Sequence, residues 1–215
     1  MASPLLARVA PFAVFAALTS CQGVFGESSP YWLYLIKTLI GAWMIGLMRP
    51  FVSEMRWKIS WEGFLAGIVV FAAWVGLEGL YPAPNISGKV WNPHEHFGVQ
   101  TRWAWFFVLV RVAGSTLVVP PLEEVFYRSF LYRYIAKPDF LNVPLRFLTR
   151  IPFLAAAALF GLAHLEWWLP AVLCAFCYQG LVVWRDRLGD AMTAHAVTNF
   201  LLALWVIWKG AWQYW

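Results

Sequence analysis

The sequence predicts an all-α fold: a polytopic bundle of about seven transmembrane helices, with one further helix lying along the membrane surface. Three observations carry this. Of 215 residues, 61% are hydrophobic and only 13% charged, whereas soluble domains run at about 45–50% and about 25%. Apolar stretches recur at close to the ~20 residues that a helix needs to cross a hydrocarbon layer. The 15 tryptophans and 17 phenylalanines suit interfacial aromatic belts and lipid-facing surfaces.

The spans are expected at about 8–26, 31–48, 62–81, 103–122, 150–166, 169–185 and 190–209, within a single integral membrane domain covering 1–215. The apolar run after Arg8 lacks a small-residue cleavage site, so it reads as a first span rather than a signal peptide. The second span carries Lys37 at its middle. The third opens with Gly63 and Gly67, a small-xxx-small spacing that lets two helices approach closely. The fourth runs from Trp103 past Arg111 to Pro120-Pro121. A helix interior rejects proline, but a first turn accepts it. The double proline is therefore expected to end or kink this span and to start a new segment. Residues 128–148 mix Arg133, Lys137 and Arg146 with Phe130, Ile135 and Phe140, which suits a surface-lying amphipathic helix. The last span closes on Trp205, Trp208, Trp212 and Trp215, a boundary signature.

With the N-terminus inside, eleven basic residues fall on the inner side. Three (Lys89, Arg102, Lys209) fall outside, which sets an N-in, C-out orientation. The net charge of +5 is accounted for by topology, and nucleic acid is excluded as a partner: no basic cluster with interleaved aromatics exists. Cys21, Cys174 and Cys177 form no disulfide framework. The Cys174–Cys177 pair reads as small residues packing in a helix. His94-Glu95-His96 reads as part of a solvated outer loop.

Chemistry concentrates in three polar pairs. Glu123 and Glu124 follow the prolines, with Arg128 one turn after Glu124 on the same face, the order that pairs well. Glu123 points about 100° away. In the first turn of a new segment, both acids would also meet unpaired N–H groups and the positive dipole end. Alone, this motif also fits a boundary ion pair. Phe160 and His164 share a face of a helix thinned by Ala155 to Ala158 and Gly161. His195 and Asn199 share a face of the last span. Either of these pairs alone also fits interhelical packing. Intramembrane polar groups are costly and mark functional sites, so three pairs on three spans point to a shared wet cavity. There a carboxylate and a histidine could activate water, and a second histidine with an amide could steady an oxyanion. Glu123, His164 and His195 equally make up a catalytic zinc set, two His and one Glu with an open position. Taken as straight helices, Glu123 and His195 fall near the inner boundary, while His164 lies about 21 Å further in.

Glu123-Glu124-x3-Arg128, Phe160-x3-His164 and His195-x3-Asn199, in this order, resemble the CPBP family (CAAX protease and bacteriocin-processing, also called Abi) over residues 103–205. In length and layout the chain is most similar to the CAAX prenyl protease-related members that accompany bacterial exosortase systems. The resemblance implies an intramembrane endopeptidase of the bacterial inner membrane, acting on a membrane-tethered protein or peptide. It implies that Glu123 and His164 activate the attacking water and that His195 and Asn199 stabilise the oxyanion. Glu124 would join them at the site, with Arg128 and Phe160 in support. A divalent metal such as zinc is left open, and no residue points to a prenylated target. Two other readings fit the same composition: a non-enzymatic immunity or chaperone-like membrane protein, and a small proton-coupled transporter.

Overall fold

The computed structural model describes residues 3–84 and 90–215, and the described residues contain no β-strand. Lys89, counted above on the outer side, lies outside them. The helices are α1 (Pro4–Ser20), α2 (Ser29–Met48), α3 (Trp61–Gly76), α4 (Pro93–Phe97), α5 (Arg102–Ala136), α6 (Arg150–Leu162), α7 (Trp168–Arg185) and α8 (Leu188–Lys209). Each of the seven expected spans coincides with a helix. Four of them, α2, α5, α7 and α8, are long and apolar enough to cross a membrane. The other three are shorter: 17 residues in α1, 16 in α3 and 13 in α6. The protein is therefore an all-helical membrane protein in which four long helices are joined by three apolar helices of lesser length.

Close packing follows the small residues. A Cβ added to Gly63 would meet the Asp190 carbonyl at 2.8 Å, and one added to Gly67 would meet the Ala194 carbonyl at 2.6 Å. The glycine face of α3 thus lies directly against the backbone of α8, as the Gly63/Gly67 spacing predicts. Gly161 brings α6 against Val172 of α7 in the same way, at 2.6 Å. The start of α3 is tied to the start of α8 by Ser60, which caps Gly63 N–H and also donates to Asp190.

Three expectations need correction. The fourth span does not end at the prolines, because α5 continues unbroken for 35 residues to Ala136. A π-helical turn at Gly114–Val118 precedes Pro120 and Pro121, and a second occupies Val125–Leu131. Such wide turns arise where the ordinary ladder is interrupted, and here the first lets the chain pass two residues that cannot donate to it. No separate amphipathic helix exists over 128–148. Its first part is the end of α5, where Phe130 and Arg133 are buried; the remainder is a short 3-10 turn at Phe140–Asn142 and irregular chain. His94 and His96 sit in the short helix α4, packed on aromatic rings: His94 on Trp105 and Trp212, His96 on Tyr31.

The end of α5 is held by a polar clamp. Glu54, in the α2–α3 connection, is bonded by Arg8 Nη2 at 2.8 Å, by Arg133 Nη2 at 2.7 Å and by the Ser129 hydroxyl. Burial alone would raise the Glu54 carboxyl; the Ser129 hydrogen bond and the Arg8 charge override this and hold it below the ordinary glutamate value.

Candidate active site

Glu124 is fully buried and its carboxylate is shared between two partners. Arg128 Nε lies 3.1 Å from Oε2, one helical turn along α5, as the spacing predicts. His195 Nδ1, from α8, lies 2.8 Å from Oε1. A carboxylate only accepts, so Nδ1 is the donor and Nε2 is turned to the other side. There it faces Glu123 Oε2 at 4.0 Å. That oxygen is buried and has no hydrogen-bond partner among the described residues. Because α5 runs on through this region, neither acid sits at a free helix N-terminus. The first-turn dipole expected from the sequence is absent, and the Arg128 and His195 side chains compensate the charge instead.

His164 lies just past the last residue of α6, at a turn with φ −124° and ψ 50°. Its Nδ1 donates to the Phe160 carbonyl at 2.9 Å, which leaves Nε2 of the neutral ring free to accept. The depth mismatch expected from straight helices disappears because α5 extends past the prolines. Glu123 stands 13 residues before the end of α5, about 20 Å, and His164 stands 14 residues past Arg150, about 21 Å. The end of α5 and the start of α6 lie together, since the Tyr132 hydroxyl donates to the Phe147 carbonyl at 2.9 Å and accepts from Thr149 N–H. Further in, the rings of Tyr127 and Phe160 meet at 4.9 Å. Glu123 is four residues beyond Tyr127, and His164 four beyond Phe160, in the same direction.

Two cavities meet here, of about 530 and about 190 Å³, and both are bordered by Val119, Glu123, His164, Asn199, Leu202 and Tyr214. His195 borders the smaller. Asn199 donates one amide hydrogen to the Ser115 carbonyl at 2.8 Å and keeps a second. Phe160 packs on His164 at 4.5 Å and receives the Arg128 guanidinium over its face at 4.9 Å. The three polar pairs thus converge.

As for a metal, the described residues contain no group of three His, Cys, Asp or Glu side chains arranged to hold an ion. Glu123, His164 and His195 do not form such a set, and Nδ1 of His195 is already committed to Glu124.

Several site residues were not anticipated. Tyr178 donates to Thr198 Oγ1 at 2.7 Å, and Thr198 passes the bond to the Gly67 carbonyl at 2.8 Å. This locks the tyrosine ring 5.5 Å from His195. Trp215, read from the sequence only as part of a boundary signature, borders the larger cavity beside Arg111. One signal in the sequence does point to the cavity wall. Arg111, Ser115, Val119, Glu123 and Tyr127 recur every fourth residue of α5, and all five border the larger cavity.

A helical membrane protein with paired acids, two histidines and an amide around two adjoining cavities has the make-up of an intramembrane hydrolase. Residues 101–201, which hold all seven motif residues, match the family model described as Type II CAAX prenyl endopeptidase Rce1-like. No curated protein and no solved structure matches the chain.

Proposed function

We propose that the protein is an intramembrane endopeptidase that hydrolyses a peptide bond of a membrane-associated protein or peptide with a water activated by Glu123 and His164. The observation that carries this reading is the unpartnered Glu123 Oε2, buried on a cavity that His164 and Asn199 also border, 4.0 Å from His195 Nε2. A water held by Glu123 and by the free Nε2 of His164 gives its proton to Glu123 as its oxygen attacks the carbonyl carbon. The resulting oxyanion is met by the free amide hydrogen of Asn199, and by His195 Nε2 when that nitrogen carries a proton. Glu123 then returns the proton to the leaving nitrogen as the C–N bond breaks. Glu124 and Arg128 orient His195. The mechanism uses these side chains alone.

The same reading puts the chain in a bacterial inner membrane with its N-terminus in the cytosol. The support is the basic excess at the start of α1 and in the α2–α3, α5–α6 and α7–α8 connections. Arg128 and Arg133 no longer count toward that excess, since both lie inside α5.

Glu123→Gln keeps the shape of the side chain and removes the base. Turnover is expected to fall about 10²- to 10⁴-fold, with the protein still inserted and monodisperse. The readout is a survey of membrane-protein termini in cells carrying wild type or the variant: termini that vanish with Gln identify substrates. An unchanged set of termini would refute the role of Glu123.

A further inference from the structure

The larger cavity is also bordered by two cations that the proposed hydrolysis does not use. Lys37 is 4% exposed. Its ammonium donates to Thr19 Oγ1 at 2.8 Å and Gln22 Oε1 at 3.1 Å, and lies 4.6 Å from the ring centres of both Phe15 and Tyr34. An ammonium has three hydrogens to donate, so one remains. The Arg111 guanidinium is stacked among Tyr34, Trp91 and Trp215 at 4.8, 4.7 and 5.6 Å. Among the described residues its side chain has neither a hydrogen bond nor an ion pair. Both cations border the larger cavity, whose one acidic side chain is Glu123. Two cations facing the same cavity in an apolar bundle repel one another unless an anion comes between them. Aromatic faces hold a cation in place without neutralising it. Arg111 and Glu123 stand on one stripe of α5, twelve residues apart, or about 18 Å along the helix. That is the reach of a short extended peptide at about 3.3 Å per residue.

We propose that Lys37 and Arg111 form an anion subsite that holds a carboxylate of the peptide ligand, on the stretch bound away from the scissile bond, while the backbone lies along Ser115 and Val119 toward Glu123. This deepens the peptidase reading and rests on it. The subsite would position the ligand lengthwise.

Binding tests it without turnover. The protein carrying Glu123→Gln is placed in phosphatidylcholine nanodiscs and titrated with an acetylated tetraleucine peptide bearing either a free C-terminal carboxylate or an amide. Binding is followed by tryptophan fluorescence, since Trp91 and Trp215 flank Arg111. The free acid is expected to bind at least tenfold tighter than the amide. Arg111→Gln and Lys37→Met should each erase that preference, and Arg111→Lys should keep part of it. The thermal melt of each variant shows that it is folded. Equal binding of acid and amide overturns the subsite, as does a preference that survives Arg111→Gln combined with Lys37→Met. Phosphatidylglycerol that shifts the fluorescence and blocks the free acid, while the peptide alone shows no acid preference, assigns the cations to lipid phosphate and also overturns it. None of these results bears on cleavage: the peptidase reading stands or falls on the termini survey with Glu123→Gln.

Discussion

Glu124 is the residue on which the most depends. It is fully buried, and its two oxygens face a guanidinium and an imidazole. Removing one member of a buried pair leaves the other uncompensated, at a cost of about 3–5 kcal/mol. Glu124→Ala should therefore lower the thermal stability of the purified protein by that amount, whereas Glu124→Ala combined with Arg128→Met should recover most of it and remain inactive. A double variant no more stable than Glu124→Ala would show that Arg128 is not stranded by the loss. The Glu124–Arg128 contact was legible in the sequence because a turn of helix separates the two residues, and local geometry is all it needs. The His195–Glu124 bond was not, because it joins positions 71 residues apart and only the packing of α8 on α5 brings them together. His164 illustrates the intermediate case. Its relation to Phe160 is local and readable, but its depth depends on where α5 ends, and the double proline pointed to the wrong end.

Among the elements, α5 carries most of the site. Residues at intervals of four drift around an ordinary helix, since 3.6 residues make a turn. In α5 the two π-helical turns at Gly114–Val118 and Val125–Leu131 widen the spiral, so Arg111, Ser115, Val119, Glu123 and Tyr127 stay on one wall. The four-residue recurrence is visible in the sequence, but a reading that assumes a uniform helix lets it drift off one wall. The contact between α3 and α8 is the opposite case. It depends only on the absence of side chains at Gly63 and Gly67, and that is written in the sequence. Gly67→Ala would place a Cβ 2.6 Å from the Ala194 carbonyl and 2.7 Å from Val197 Cβ, and should cost about 1–3 kcal/mol through overpacking. It should also reduce activity, because Thr198 donates to the Gly67 carbonyl. Gly46→Ala in α2, with no atom within 4 Å of the added carbon, is the control and should leave both stability and activity near wild type. Equal melting of the two variants would mean that α3 and α8 are not in contact at Gly67.

For the molecule as a whole, the clamp at Glu54 joins α1, the α2–α3 connection and the end of α5. Glu54 titrates lower in the folded protein than in the unfolded chain, for the reasons given above. Its contribution to stability is therefore complete above the unfolded glutamate value of about 4.3 and is lost as pH falls through the lower folded value. Melting curves of wild type and Glu54→Gln should differ at neutral pH and converge below about pH 4. A gap that fails to narrow even below that pH would mean that the charge of Glu54 does not hold the clamp. The bundle and its seven apolar segments were readable from hydropathy. The clamp was not, since Glu54 stands 46 and 79 residues from the two arginines it pairs with.

The brevity of α6 has one last consequence. Thirteen residues rise about 20 Å, well short of a hydrocarbon layer of about 30 Å. The chain turns at Ala163 to Trp167 after that short rise, and the N–H groups of Ala163, His164 and Trp167 stay bonded to the carbonyls of Leu159, Gly161 and His164. On the proposed mechanism, it is this early turn that sets His164 on the wall of the cavity beside Glu123.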